Sequence, residues 1–176
     1  MSADDATRIA VLGCSGSGKS TLAAHLAGRL GLPYLATDHI FWTDDWRPTP
    51  SAEVRAWLAA AVAQERWVSD GNFDSDRDLL WTRAGLIVWL DLPLTVVLAQ
   101  VLRRNLAWWW RRTPIWGSER MTLPKAISGV GHVLRSHGAK HTIYPAWLAA
   151  CGAKPVVRLR TKTELARWLD AVRQSG

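Results

Sequence analysis

The feature that most constrains this chain is a run of glycines and small residues ending in lysine and serine, at residues 13–20. The run reads Gly-Cys-Ser-Gly-Ser-Gly-Lys-Ser and satisfies G-x-x-x-x-G-K-[ST] at every fixed position. An apolar run at 7–12 precedes it, and a leucine- and alanine-rich segment with helical spacing follows at 19–30. The sequence therefore predicts a strand, an anion-binding loop and a helix, in that order.

The loop residues have predicted roles in binding ATP and Mg²⁺. Glycines allow backbone N–H groups to curve around phosphate oxygens, and the helix N-terminus adds a partial positive charge. Lys19 is expected to reach the β- and γ-phosphates, and the Ser20 hydroxyl to ligate Mg²⁺. The predicted nucleotide-binding residues are Gly13, Ser15, Gly16, Ser17, Gly18, Lys19, Ser20 and Thr21.

Apolar runs of strand length alternate with helical patterns along most of the chain. Further strands are predicted at 33–36, 66–70, 85–92 and 155–159, and helices at 51–65, at 93–110 and from a capping box at 161–164. This alternation predicts an α/β protein with the three-layer P-loop NTPase fold: a five-stranded parallel sheet, helices on both faces and an arginine-rich lid. The prediction is a single domain over 1–176.

The segment after the predicted helix at 93–110 does not fit the alternation. Residues 111–152 contain several prolines and glycines, which predicts a lid at about 111–125 followed by one or two helices. The chain has a formal charge of +7, and residues 103–141 hold eight lysines and arginines against one acid. Such a cationic block favours an anionic substrate or transition state over a nucleic-acid surface.

Composition also bears on the cellular location of the protein. No apolar stretch approaches the roughly 20 residues that span a bilayer, and the N-terminus is polar and acidic. Two cysteines, one of them inside the glycine-rich loop, do not form a disulfide framework. We therefore expect a cytoplasmic protein without a membrane span, and the sequence carries no signal for its oligomeric state.

Polar residues near the ends of the predicted strands are the candidates for chemistry. No N-K-x-D motif is present, which argues against a GTPase, and the layout suits a small-molecule kinase. Phosphoryl transfer needs cations near the γ-phosphate and acids that hold Mg²⁺ or orient the acceptor. The predicted catalytic residues are Lys19, Asp38, Asp70, Arg104 and Arg112. Asp70 is also a predicted metal residue with Ser20, and the predicted acceptor-binding residues are Asp38, Trp42, Trp46, Asn72 and Arg77.

The chain resembles small P-loop kinase-like proteins that are similar to adenylate kinases and often labelled DNA topology modulation proteins. The matching residues are 16–21 (Gly-Ser-Gly-Lys-Ser-Thr), 35–38 (Leu-Ala-Thr-Asp), 41–42, 46, 67–73 (Trp-Val-Ser-Asp-Gly-Asn-Phe), 77–78, 88–93, 102–104 and 116–119. The resemblance covers most of 8–120, with Ser118 where asparagine is expected. It implies an ATP-dependent kinase fold with five parallel strands.

Several functions remain open at this level. The leading hypothesis is transfer of the ATP γ-phosphate to a small acceptor, either a nucleoside monophosphate or a hydroxyl compound. In the hydroxyl version, Asp38 orients the acceptor or acts as its base. The alternatives are a nucleic-acid-associated ATPase, which would use the cationic segment as a backbone clamp, and a regulatory nucleotide-binding module.

Overall fold

The structure is a computed structural model that describes residues 6–37, 40–41, 48–111, 114–116, 119–120 and 122–174. In chain order its elements are β1 (Arg8–Gly13), α1 (Lys19–Leu30), β2 (Tyr34–Leu35), α2 (Ser51–Val62), β3 (Trp67–Ser69), α3 (Arg77–Arg83), β4 (Leu86–Leu90), α4 (Leu94–Arg111), β5 (Pro114–Trp116), β6 (Glu119–Arg120), α5 (Leu123–Ala150), β7 (Val156–Leu159) and α6 (Lys162–Gln174).

Five strands form one parallel sheet in the order β2-β3-β1-β4-β7, which confirms the predicted sheet. The strand β1 lies at its centre, where Arg8 aligns with Trp67 of β3 and Ile9 with Leu86 of β4. A central parallel strand is covered on both faces, so its residues are apolar without alternation. The carboxyl ends of β1 and β3 therefore lie side by side at one edge, where the glycine-rich loop and the turn after Ser69 begin.

Helices cover both faces of the sheet, as the sequence predicted. Alternate residues of β1 face opposite layers: Ile9 packs with one cluster of buried residues and Ala10 with another. The first cluster includes side chains of α1 and α6, and the second includes side chains of α2, α3 and α5. A third cluster, which contains Val101 and Val133, joins α4 and α5 beyond the strand ends.

The helical assignments differ from the prediction in two places. The helix predicted at 51–65 ends at Val62. The seven-residue α3 was not predicted, because its apolar residues form one short run at 79–81. After the two-stranded β5–β6 hairpin, a single helix of 28 residues forms in the region where one or two helices were predicted. It continues through Pro145, and Tyr144 and Leu148 on either side of that proline are buried in the core. No helix in the described part of the chain is long and apolar enough to cross a bilayer.

The predicted capping box is present at the start of α6. The Glu164 N–H donates to Thr161 Oγ1 at 3.0 Å, as expected for an N-cap threonine. The Glu164 carboxylate accepts from the N–H of Arg160 at 2.7 Å, one residue before the position that the motif usually uses. The first interaction satisfies one of the N–H groups at the helix N-terminus that have no partner within the helix.

Candidate functional site

The loop between β1 and α1 adopts a tightly curved backbone that glycine makes accessible. Gly16 has φ of 80° and Gly18 has φ of 95°, both in the left-handed region that side chains disfavour. Within the loop, the Ser17 N–H donates to the Cys14 carbonyl at 3.2 Å. The helix α1 starts at Lys19 and has no acidic residue in its first turn. The partial positive charge at its N-terminus therefore faces the loop and is not neutralised by a carboxylate of the helix itself.

Gly16 also fits closely against the helix α4. A β-carbon at Gly16 would overlap the Cγ2 atom of Val101, which is fully buried. Gly13 is similarly confined, because a β-carbon there would lie 2.9 Å from the carbonyl oxygen of Leu90. The loop backbone therefore packs directly against α4 and β4, and this close packing is possible only because residues 13 and 16 are glycines.

Lys19 and Cys14 interact within the loop. The Lys19 Nζ donates to the Cys14 carbonyl oxygen at 3.2 Å, and Lys19 lines the cavity described below. Burial raises the pKa of the Cys14 thiol, and the Lys19 ammonium partly offsets this rise. Cys14 is thus a protonated, buried side chain, consistent with a small loop residue.

Asn72 ties the turn after β3 to the start of the loop. Its Nδ2 donates to the Gly13 carbonyl at 2.9 Å, and its Oδ1 accepts from the Gly13 N–H at 3.0 Å. The Trp81 Nε1 in turn donates to the Asn72 carbonyl at 2.8 Å. The sequence predicted Asn72 as an acceptor-binding residue, whereas the structure places its amide against the backbone of the loop.

Asp70 lies at the end of β3, beside β1, with 3% of its surface exposed. Its Oδ1 accepts from the N–H and the hydroxyl of Thr37 at 3.2 and 3.1 Å, and its Oδ2 accepts from the Tyr34 hydroxyl at 3.0 Å. These donors orient a carboxylate that remains on the wall of the cavity. No cluster of three His, Cys, Asp or Glu side chains suited to a metal occurs among the described residues.

Residues 70–76, which we call the acidic turn, carry three carboxylates and a strained backbone. Phe73 has φ of 46°, unusual for a side chain of its size, and its ring lies 5.0 Å from that of Phe41. A β-carbon at Gly71 would overlap the Phe73 ring and lie 2.6 Å from Thr37 Oγ1. The turn therefore requires glycine at 71, and the Phe73 side chain lines the cavity described below.

The glycine-rich loop and the acidic turn enclose one cavity of about 440 Å³. Ser15 of the loop, Lys19 at the start of α1, and His132 and Lys140 of α5 are among the residues that line it. The remaining described lining residues are Thr37, Phe41, Thr49, Ser51, Val54, Asp70, Gly71, Asn72, Phe73, Asp74, Ser75 and Asp76.

Three side chains, which we call the Asp74 cluster, join the acidic turn to α5. The Tyr144 hydroxyl donates to Asp74 Oδ1 at 2.6 Å, and Lys140 Nζ lies 3.1 Å from Asp74 Oδ2. Lys140 also donates to the Tyr144 hydroxyl at 3.0 Å. Burial, reinforced by the Asp74 carboxylate, raises the pKa of Tyr144, so its hydroxyl stays protonated.

Two of the predicted arginines lie against tryptophan rings. The Arg77 guanidinium is 4.0 Å from the centre of the Trp147 ring and donates to the Asp74 carbonyl at 2.6 Å. The Arg104 guanidinium lies 4.7 Å from the centre of the Trp108 ring on an exposed part of α4. Neither arginine is among the residues that line the cavity.

Four other predicted residues, Asp38, Trp42, Trp46 and Arg112, lie outside the described residues. Ser20 and Thr21 lie in the first turn of α1, immediately after Lys19. The structure thus brings together the loop, Lys19, Asp70 and Asn72.

Sequence reasoning missed the Asp74 cluster and His132. The spacing of Lys140 and Tyr144, four residues apart, was a signal that both lie on one face of a helix. The position of Asp74, four residues after Asp70, was a second signal for the carboxylate-rich turn. Their convergence on Asp74 depends on how α5 packs.

Two solved structures share this arrangement of strands and helices. A gluconokinase from Sinorhizobium meliloti 1021 has a TM-score of 0.52 and 19% sequence identity, over 96% of this chain and 97% of that one. A shikimate kinase from Bacteroides thetaiotaomicron has a TM-score of 0.57 and 16% identity, over 97% and 98% of the two chains. The chain therefore has the fold of P-loop kinases.

Curated relatives match shorter parts of the chain. YqaC of Bacillus subtilis (strain 168), an uncharacterized protein, is 31% identical over 99 residues, which are 55% of this chain and 56% of that protein. The shikimate kinase of Paracidovorax citrulli (strain AAC00-1) is 56% identical over 32 residues, 18% of each chain. The chain thus matches about half or less of the length of these relatives, and no protein-family model matches it.

Proposed function

We propose that this protein is an ATP-dependent kinase that transfers the γ-phosphoryl group to a small acceptor. The observation that carries the proposal is that the glycine-rich loop, Lys19 and Asp70 face one cavity that continues to α5. Such a cavity has room for an acceptor beside the phosphates. The names of both structural neighbours, a gluconokinase and a shikimate kinase, support the same class of reaction.

In the proposed reaction, an acceptor oxygen forms a bond to the γ-phosphorus while the bond from that phosphorus to the β–γ bridging oxygen breaks. ADP leaves, and an acceptor hydroxyl also releases its proton. Lys19 would exchange its contact with the Cys14 carbonyl for a phosphate oxygen, and backbone N–H groups of the loop would bind the others. The buried Ser17 hydroxyl has no hydrogen-bond partner among the described residues, and a phosphate oxygen would supply one.

The oxygen-bearing side chains near the loop fit a magnesium ion bound with ATP. Mg²⁺ prefers oxygen ligands and usually keeps several waters, so it needs few protein side chains. We propose that the Ser20 hydroxyl is a direct ligand and that Asp70, whose carboxylate already accepts three hydrogen bonds, holds water of the metal shell. The ion would offset negative charge on the phosphates.

The remaining predicted roles are proposals for the acceptor side and the lid. Asp38 follows β2 in the sequence, and we propose that it orients the acceptor or accepts its proton, with Trp42 and Trp46 beside the acceptor. We further propose that 1–176 form one kinase domain in which 111–125 act as a lid. Lid residue Arg112 would approach phosphate together with Arg104 of α4. The resemblance to DNA topology modulation proteins stays a prediction.

The test is Mg²⁺-dependent ADP formation by the purified protein with nucleosides, nucleoside monophosphates, sugars and hydroxy acids. We expect one acceptor class to stimulate ADP formation, and we expect Lys19→Ala to reduce that rate about 100-fold or more. Asp38→Asn should reduce turnover of a hydroxyl acceptor, and near-normal turnover would exclude Asp38 as its base. ATP binding without stimulation by any acceptor would contradict the kinase proposal.

A further inference from the structure

The second half of α4 exposes apolar side chains that the core does not use. Leu102, Leu106, Trp109 and Trp110, which we call the α4 stripe, are 49–81% exposed. Half of the large hydrophobic side chains that are exposed among the described residues lie in this stretch of nine residues. Single exposed apolar residues are normal, whereas a contiguous group of them indicates an interaction site.

The spacing of the α4 stripe places its four side chains on one face of the helix. Positions i, i+4, i+7 and i+8 lie on the same side of an α-helix, and here they extend over about 12 Å of the axis. The buried residues Val97, Val101 and Asn105 lie on another side. The helix therefore has two apolar faces, one packed against the glycine-rich loop and α5 and one in contact with solvent.

Positive charge borders the α4 stripe. Arg103, Arg104 and Arg111 are exposed, and α4 contains no aspartate or glutamate. Arg103 is three residues before Leu106, so these two side chains are neighbours on the helix surface. In the sequence, residues 103–141 hold eight lysines and arginines and a single acid. The α4 stripe thus combines leucine, tryptophan and arginine without an adjacent acid on its own helix.

A bilayer that contains anionic lipids offers a partner to each of these groups. Tryptophan is enriched at the boundary between lipid headgroups and acyl chains, and leucine side chains enter that boundary when an amphipathic helix lies along it. Arginine side chains extend from such a helix toward headgroup phosphates while their methylene groups stay in apolar surroundings.

Other partners match the α4 stripe less completely. In a symmetric contact with a second copy, the arginines of two identical helices would come together and repel each other. Nucleic acid would bind the arginines and stack on the tryptophans, but it would leave Leu102 and Leu106 in water. Only the lipid surface buries the leucines and also pairs with the arginines.

We propose that the α4 stripe and its bordering arginines form a peripheral binding surface for membranes that contain anionic lipids. The helix would lie parallel to the membrane plane, with Trp109 and Trp110 at the level of the headgroups. The opposite side of α4, where Val101 packs beside Gly16, would keep its contact with the glycine-rich loop. The proposal concerns a surface outside the described cavity and goes beyond the proposed kinase function.

The experiment measures binding of the purified full chain to lipid vesicles by flotation. Vesicles of equimolar phosphatidylcholine and phosphatidylglycerol are compared with vesicles of phosphatidylcholine alone. We expect the partition coefficient to be about tenfold or more higher for the anionic vesicles, and to fall as sodium chloride is raised to about 1 M. No nucleotide or acceptor is added, so the result does not depend on catalysis.

Two variants test the apolar part of the surface. Leu106→Ser and Trp110→Ser each remove an apolar side chain that is more than half exposed, so the folded state should keep its stability. Each should lower the partition coefficient for anionic vesicles several-fold. Ile143→Ser, an exposed aliphatic position on α5, is the control and should leave binding unchanged. Urea denaturation confirms that each variant is folded.

A second pair of variants tests the charged part. Arg103→Glu reverses the charge beside the α4 stripe and should lower the partition coefficient for anionic vesicles about tenfold. Arg167→Glu makes the same change in net charge at an exposed position of α6, and it should have a much smaller effect. An equal decrease in the two variants would show that only net charge matters, which would overturn the assignment to α4.

The remaining outcomes also decide the proposal. Equal binding to both kinds of vesicle, or no binding to either, would overturn it. Unchanged binding of Leu106→Ser and Trp110→Ser would overturn the role of the α4 stripe. Dimerisation in sedimentation equilibrium that Leu106→Ser abolishes, without vesicle binding, would assign the face to a second copy instead. Binding of a DNA oligonucleotide that Trp110→Ser abolishes, again without vesicle binding, would assign it to nucleic acid.

Discussion

The glycine-rich loop and the acidic turn meet in one cavity but are constructed differently. The loop is a continuous segment whose shape depends on glycines at positive φ and on close backbone contacts. The acidic turn depends on side chains that arrive from distant segments, including Tyr34, Lys140 and Tyr144. The loop should therefore tolerate few changes of backbone, whereas the acidic turn can change its polar groups while the fold persists.

Substituting a loop glycine should have the largest effect on stability. In Gly16→Ala the new β-carbon overlaps Val101 and the residue must keep positive φ, so we expect the free energy of unfolding to fall by about 2–4 kcal/mol. Urea denaturation measures this change. The matched control is Gly28→Ala in α1, where the new β-carbon would have no other part of the protein within 4 Å. Because alanine favours a helix over glycine, stability should rise by up to about 1 kcal/mol. Equal effects of the two changes would contradict a backbone-determined loop.

Asn72 connects the two regions, so its loss should affect both. Asn72→Ala leaves the Gly13 N–H and carbonyl without these partners, and we expect a loss of about 2 kcal/mol in the free energy of unfolding. The affinity for ATP should fall and the KM for the acceptor should rise. Calorimetry measures the first change and steady-state kinetics the second. Gln64→Ala truncates an exposed amide side chain and serves as the control. Weakened acceptor binding with normal ATP affinity would instead indicate a direct acceptor contact.

The acidic turn should show an alkaline pH dependence of stability that comes from Tyr144. The pKa of Tyr144 is raised above its ordinary value of 10.0 by burial and by Asp74, so its stabilising contribution is complete below pH 10. Above that pH the unfolded chain releases the proton and the native state keeps it, so stability falls by about 1.4 kcal/mol per pH unit. Tyr144→Phe should lack this part of the decline. Denaturation curves between about pH 9 and 11.5 provide the measurement, and identical slopes would contradict the prediction.

A change far from both regions provides a reference for purely local effects. Thr161→Ala removes the side-chain acceptor for the Glu164 N–H and should lower the free energy of unfolding by about 1 kcal/mol. Kinase activity should remain unchanged. Thr163→Ala lies two residues further along, in the first turn of α6, and should be neutral or slightly stabilising. A loss of activity in Thr161→Ala would show that α6 is coupled to the site.

Local sequence signals predicted one region far better than the other. The glycine-rich loop was predicted from the fixed spacing of its motif. The parallel sheet was predicted from apolar runs such as 85–92, and both signals lie within a few consecutive residues. The Asp74 cluster joins residues that are 70 positions apart, through the packing of a long helix that contains Pro145. Its proline and glycines left open whether one helix or two would form there. Tertiary burial of Tyr144 and Leu148 outweighed those local preferences.

The contact between Asn72 and Gly13 also bears on how such a sequence can change over generations. At residue 13 the side-chain amide of Asn72 contacts the main-chain N–H and carbonyl groups. Every amino acid except proline carries both of these groups. Residue 13 is confined to glycine for a separate reason, its proximity to the Leu90 carbonyl. No substitution at one position can compensate for a change at the other. The two residues should therefore be retained together without covarying, and covariation between aligned sequences would not reveal their contact.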